Sequence, residues 1–196
     1  MSRDVKLLHP KLRSLIPVIL EECKQQGLNV LITDCFRTQP EQDALYAQGR
    51  TAPGGIVTNI RYPDSAHCWG VAFDFCRNVK GLEYDNSDCF FTRVAVIAKK
   101  HGLEWGGDWK RFVDRPHLQL PEFMPNNTTS WLKNTYGTPT VFVNSWERNA
   151  PSSWYREACD WAVEQGLFKG DGSGDFHWSE TVTREQLAQV LYNLYH

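Results

Sequence analysis

Ser65-Ala66-His67-Cys68-Trp69-Gly70-Val71-Ala72-Phe73-Asp74-Phe75-Cys76 is the stretch from which the rest of this chain can be read. After Gly70, Val71, Phe73 and Phe75 share one face while Ala72, Asp74 and Cys76 share the other, the period-two pattern of a strand with one acid on its less apolar side. His67 and Asp74 flank the glycine turn, so the chain can change direction between them and aim both side chains at a common point. His117 arrives from a separate short segment, Asp114-Arg115-Pro116-His117-Leu118-Gln119. Two imidazoles and a carboxylate form a ligand set suited to zinc, and three protein ligands leave a fourth position open, the mark of a catalytic ion. By spacing alone the set is weak evidence, because isolated histidines more often serve as hydrogen-bonded structural groups than as ligands.

An ion at such a site acidifies water, but a base must still take the proton. Asp114, three residues before His117 with Pro116 fixing the backbone between them, is the candidate, and it is placed to return that proton to a leaving amine. Arg37 lies at a strand-to-helix corner, where its planar fork of donors suits a substrate carboxylate or a developing oxyanion.

Working outward, Leu12, Leu15, Ile16, Ile19, Leu20 and Cys23 recur at helical spacing, with Gly27 as terminator and Pro17 as an expected kink or late start. Asn29 to Thr33 is a β-prone run, and Thr38-Gln39-Pro40-Glu41 has the spacing of a capping box that opens a helix. Gly49 to Ser65 reads as a long loop, and Phe90 to His101 as a helix that packs on the sheet. The Pro- and Asn-rich composition beyond Leu120 predicts a catalytic domain over 1–122 and a linker over 123–143. Residues 144–196 are then a small module of two helices. Tyr155, Ala158, Cys159, Ala162 and Val163 line one, Leu187, Val190, Leu191 and Leu194 the other, with a second capping-box spacing at Thr183 to Gln186.

A chain of 196 residues, 41% hydrophobic and 22% charged, has room for one domain and a small appendage. Its net charge of −2 gives no general attraction to nucleic acid or an anionic membrane. No apolar stretch reaches the roughly 20 residues of a membrane span, and the N-terminus lacks the apolar region of a signal peptide, so synthesis in the cytoplasm without a Sec leader is expected. The six cysteines contain no C-x-x-C pair and are expected as reduced thiols.

Phe36-Arg37-Thr38 with Gln42, the Ser65 to Phe75 stretch, Gly102-Leu103-Glu104-Trp105-Gly106-Gly107-Asp108-Trp109, and Asp114 to Gln119 follow one another in order. Over roughly residues 7 to 121 this resembles the L-alanyl-D-glutamate endopeptidase and D-Ala-D-Ala carboxypeptidase family, within the LAS group of zinc peptidases. The resemblance implies an α+β fold, hedgehog-like, in which a small antiparallel sheet and packed helices surround a zinc cleft. It further implies zinc on His67, Asp74 and His117, Asp114 as acid/base, and Arg37 and Ser65 on the substrate; Gln42 and Trp105 are further substrate-binding candidates. His9 and His101 match no ligand position. The Trp105 to Trp109 run is closer to the endopeptidase branch, common in phage lysins, which implies cleavage of the L-Ala-D-Glu bond of peptidoglycan stem peptides after phage-type release to the cell wall. D-Ala-D-Ala carboxypeptidase activity and a non-catalytic, zinc-containing wall-binding module are the alternatives. The chain departs from the pattern at Cys68-Trp69, where Asn-Tyr is expected, and a Cys68 or Cys76 thiolate would compete for zinc unless both are small buried hydrophobes.

The last segment, about 144 to 195, resembles a single S-layer homology repeat. It implies contact with a secondary cell-wall polymer through Arg184, or homo-oligomerisation, since such repeats usually work in threes. Asp171-Gly172-Ser173-Gly174-Asp175 reads as a turn-rich connector because Phe176 and Val182 occupy calcium-loop positions that need glycine and glutamate.

Overall fold

Gly70 takes a left-handed conformation, φ 67°, that a side chain would strain, and this lets a short 3-10 turn, Ala66–Trp69, run directly into strand β2. The sheet that receives it is antiparallel throughout, in the order β1 (Val30–Asp34), β2 (Ala72–Arg77), β4 (His117–Gln119) and β3 (Glu104–Trp105). This computed structural model describes residues 2–110, 112–149, 155–168, 178 and 182–195.

Helix α1 (Pro10–Gln25) buries Leu12, Ile16, Ile19 and Cys23 as a stripe. It starts at Pro10 and runs through Pro17, which is exposed, so the expected late start does not occur. Helix α2 (Gln39–Ala47) opens with the expected capping box, in which the Thr38 N–H and hydroxyl both donate to the Glu41 carboxylate, at 2.9 and 2.8 Å. Helix α3 (Phe90–Lys100) packs on α1 and on β3. Phe75 of β2 meets the rings of Phe90 and Phe91 at 6.3 and 5.4 Å, so the apolar face of the sheet ends in an aromatic core.

Two compact units divide the chain, residues 1–143 and 144–196. Segment 123–143, read from its composition as a linker, is instead folded into the first unit. It contains α4 (Ser130–Tyr136) and the start of α5 (Pro139–Asn149), and it buries Leu132 and Phe142. Phe142 lies 5.9 Å from Trp69 and 5.4 Å from Phe123, while Asp64 accepts from Thr129 Oγ1 (3.2 Å) and Lys133 Nζ (2.5 Å). Proline and asparagine here mark short 3-10 turns at 121–123 and 125–127, a use of turn residues that composition does not distinguish from a tether.

In the second unit α6 (Arg156–Glu164) and α7 (Arg184–Tyr195) form as expected, and Thr183 and Gln186 cap α7 reciprocally. The stripe residues Leu187, Val190 and Leu191 are exposed, as is Arg184. The connector at 171–175 lies outside the described residues. No helix among the described residues is long and apolar enough to cross a membrane.

Candidate metal centre

Strand register assembles the site. Asp74 of β2 stands directly opposite His117 of β4, which places both side chains on one face of the sheet. His67 enters from the 3-10 turn before β2. The three ligand atoms form a nearly equilateral triangle: His67 Nε2 to Asp74 Oδ1, His117 Nδ1 to Asp74 Oδ1, and His67 Nε2 to His117 Nδ1 are each 3.2 Å. Donors at about 2.0–2.1 Å from a tetrahedral zinc ion stand about 3.3 Å apart, so the triangle has the dimensions of three corners of such a shell.

The outer nitrogens fix the tautomers this needs. His67 Nδ1 donates to the Cys35 carbonyl at 2.8 Å, and His117 Nε2 to Gln119 Oε1 at 3.1 Å, which leaves a lone pair on each inner nitrogen. Lone pairs converging on a point without a donor between them are what a cation requires. Among the described residues, these three are the group identified as able to hold a metal.

A register shift in β1 brings Arg37 into this arrangement. Ile32 faces Phe75, but Asp34 rather than Thr33 then faces Asp74, the signature of a β-bulge, which re-aims side chains. Two carboxylates facing each other would repel, and Arg37 lies across both: Nε donates to Asp34 Oδ2 at 2.5 Å and Nη2 to Asp74 Oδ2 at 3.3 Å. Nη1 donates to Gln42 Oε1 at 3.3 Å. Arg37 thus steadies the second oxygen of a metal ligand while part of its five-donor fork stays available.

Gln42 is fully buried, and its Nε2 donates to the Ile60 carbonyl at 2.7 Å. Between these two bonds it braces Arg37 and staples the 49–65 loop. Ser65 opens the 3-10 turn and is 8% exposed, its carbonyl accepting the Cys68 N–H. Trp105, expected on the cleft wall, is buried; its indole N–H donates to the Arg115 carbonyl at 2.7 Å, so it clamps the segment between Asp114 and His117.

Asp114 is partly buried at the start of that segment. Burial raises its carboxyl above the ordinary range; His117 opposes this, Asp74 adds to it, and His67 and Arg37 oppose it. A carboxyl so raised is suited to taking and returning a proton. Gly106, whose motif carries no chemistry of its own, sets its place: a Cβ there would stand 2.6 Å from the Asp114 carbonyl oxygen and 3.1 Å from the Cβ atoms of Asp114 and His117.

All six cysteines are free. Cys68 is buried, its thiol pushed up to about 12 chiefly by burial, and Cys76 is raised for the same reason, so neither supplies a competing thiolate. His9 caps α1, accepting from the Lys11 N–H at 3.2 Å, and His101 pairs with Glu22 at 2.6 Å; neither joins the centre.

Residues 59–120 match a family profile described as D-alanyl-D-alanine carboxypeptidase, of peptidase family M15. The peptidoglycan L-alanyl-D-glutamate endopeptidase CwlK of Bacillus subtilis is 43% identical over 122 residues, covering 58% of this chain and 73% of that protein. The L-alanyl-D-glutamate peptidase of Listeria phage A118 is 33% identical over 139 residues, covering 69% of this chain and 43% of that protein. Among solved structures, the L-Ala D-Glu endopeptidase ChiX of Serratia marcescens shares 22% identity at a TM-score of 0.47, covering 63% of this chain and 86% of that one. The LdcB LD-carboxypeptidase shares 14% at 0.45, covering 70% and 68%. With its His-Asp-His centre and a relative at this level of identity, the chain belongs to the M15 family of metallopeptidases.

Proposed function

We propose that this protein is a peptidoglycan hydrolase, a zinc endopeptidase that cuts the L-Ala-D-Glu bond of cell-wall stem peptides. The observation that carries the reading is the 3.2 Å triangle of His67, Asp74 and His117 with the raised carboxyl of Asp114 in the same segment as a ligand. The names of the bacterial and phage relatives supply the substrate class.

Zinc held by the three ligands would polarise the scissile carbonyl and acidify the attacking water. Asp114 takes the proton from that water and returns it to the leaving amine of D-Glu. The remaining donors of Arg37 bind an anionic group of the stem peptide or the developing oxyanion, and Ser65 contacts the peptide beside them. The C-terminal unit holds the enzyme on the wall: Arg184 at the start of α7 contacts a secondary wall polymer, or the exposed Leu187 and Leu191 pair copies of the chain.

Mass spectrometry of purified peptidoglycan after digestion tests bond and activity together. New amino-terminal D-Glu is expected; free D-Ala alone would transfer the reading to the carboxypeptidase branch. A chelator should abolish turnover and zinc restore it. Asp114→Ala should keep the metal while losing about 10²–10⁴-fold in turnover, and unchanged turnover would remove its assigned role.

A further inference from the structure

Behind the metal centre, the polar face of the sheet continues away from Asp74. Glu104 of β3 stands opposite Gln119 of β4, two residues on from His117, so the three side chains share that face. Gln119 is 1% exposed. Its Nε2 donates to Glu104 Oε2 at 3.0 Å, and its Oε1 faces His117 Nε2 at 3.1 Å.

Glu104 as a carboxylate only accepts, so the amide has one direction open to it: nitrogen toward Glu104, oxygen toward His117. An amide oxygen at that distance demands the proton on His117 Nε2, which keeps the lone pair on Nδ1, the atom at the shared corner with His67 and Asp74. The second oxygen of Glu104 accepts from the Trp109 indole at 2.9 Å, and the Trp109 ring lies 5.1 Å from the His117 ring. Asn127, oriented to suit its neighbours, turns its amide nitrogen to the same carboxylate at 2.7 and 3.0 Å. Glu104 is thus held as an acceptor by donors from three sides, and Gln119 is the one that carries its charge by hydrogen bonds to His117 Nε2.

We propose that Glu104, acting through Gln119, is the positioning residue that fixes the tautomer of His117 and so sets the affinity of the centre for its ion. This rests on the metal-centre reading above. Without the carboxylate the Gln119 nitrogen keeps only the neutral Asn127 amide as a partner, so it can more readily turn to His117, and the ring can then place its proton on the inner nitrogen, where an ion must sit. Loss of such outer partners typically weakens metal binding by about 10–100-fold.

The test measures zinc affinity of the folded full chain by competition with a chromophoric chelator, together with the visible spectrum of the cobalt form. Glu104→Ala and Gln119→Leu should each lose about 10–100-fold in affinity and alter the cobalt spectrum. The charge-swapped pair E104Q/Q119E places a carboxylate against His117 and an amide able to donate to it and accept from Trp109. It should bind zinc within about threefold of wild type, a restoration that mere support of β3 would not produce. Where Glu104→Ala does not fold, Gln119→Leu and the swapped pair carry the test. Single variants that bind zinc as wild type does, or a swapped pair no tighter than the singles, would overturn the proposal. A wild-type chain that binds no zinc would overturn the metal centre itself, a different result.

Discussion

Gly106 shows how one missing methyl group can set a functional geometry. A Cβ on it would run into the Asp114 carbonyl and crowd the His117 Cβ, so Gly106→Ala must move one or both. A displacement approaching 1 Å at Asp114, the proposed proton carrier, should lower kcat by about 10²-fold, read by steady-state kinetics against wild type. His9 yields a prediction about pH. Burial, with Arg13 and Lys11 adding, lowers its pKa from 6.5 to about 4, and its Nδ1 must stay unprotonated to accept the Lys11 N–H. The unfolded chain therefore binds more protons between those values, so stability rises with pH across the window and is lost on acidification from 6.5 towards 4, by roughly 3 kcal/mol at most. His9→Asn keeps a capping acceptor without titrating, and urea unfolding at pH 4.5 and 7 should show its smaller pH dependence. At this scale much was legible. The candidate ligands and Asp114 stand out in short motifs, whereas Glu104 and Gln119 gain their proposed role only from being opposite each other across two strands.

The β1 bulge and the α2 staple matter at the scale of elements. The sequence pattern located β1 and β2 to within a residue at each end, because alternation and Gly70 are local signals. It gave no sign that an extra residue between Ile32 and Asp34 would bring Asp34 across from Asp74, since a bulge is decided by the partner strand. Gln42 was not legible in this role: its bonds to Arg37 and to the Ile60 carbonyl depend on the path of a loop that sequence does not reveal. Gln42→Leu fills the same buried space while removing both bonds and leaving the Ile60 carbonyl unsatisfied. It should cost about 1–3 kcal/mol in unfolding free energy and raise KM for stem peptide, with zinc affinity held within about threefold. Loss of zinc binding in that variant would place Gln42 among the residues that build the centre rather than those that shape its approach.

For the molecule as a whole, residues 123–143 back the turn that carries His67, with Phe142 against Trp69 in an aromatic cluster that also takes in His9, Phe123 and Tyr136. Phe142→Ala should cost about 3–5 kcal/mol, measured by denaturant unfolding, far more than a substitution in a tether would. The sheet itself has one further property. Its first ligand pair, Asp74 and His117, is a cross-strand pair, and a slip of one residue would turn one partner to the other face. An ion captured by both therefore selects among the ways β2 and β4 could pair, rewarding one alignment and no other. At a thousandfold excess over its Kd it would favour that alignment by about 4 kcal/mol, so chelation should lower the melting temperature as well as stop turnover. Metal content then works as an inspection mark: a chain that has kept its ion is a chain whose strands were joined in the right register.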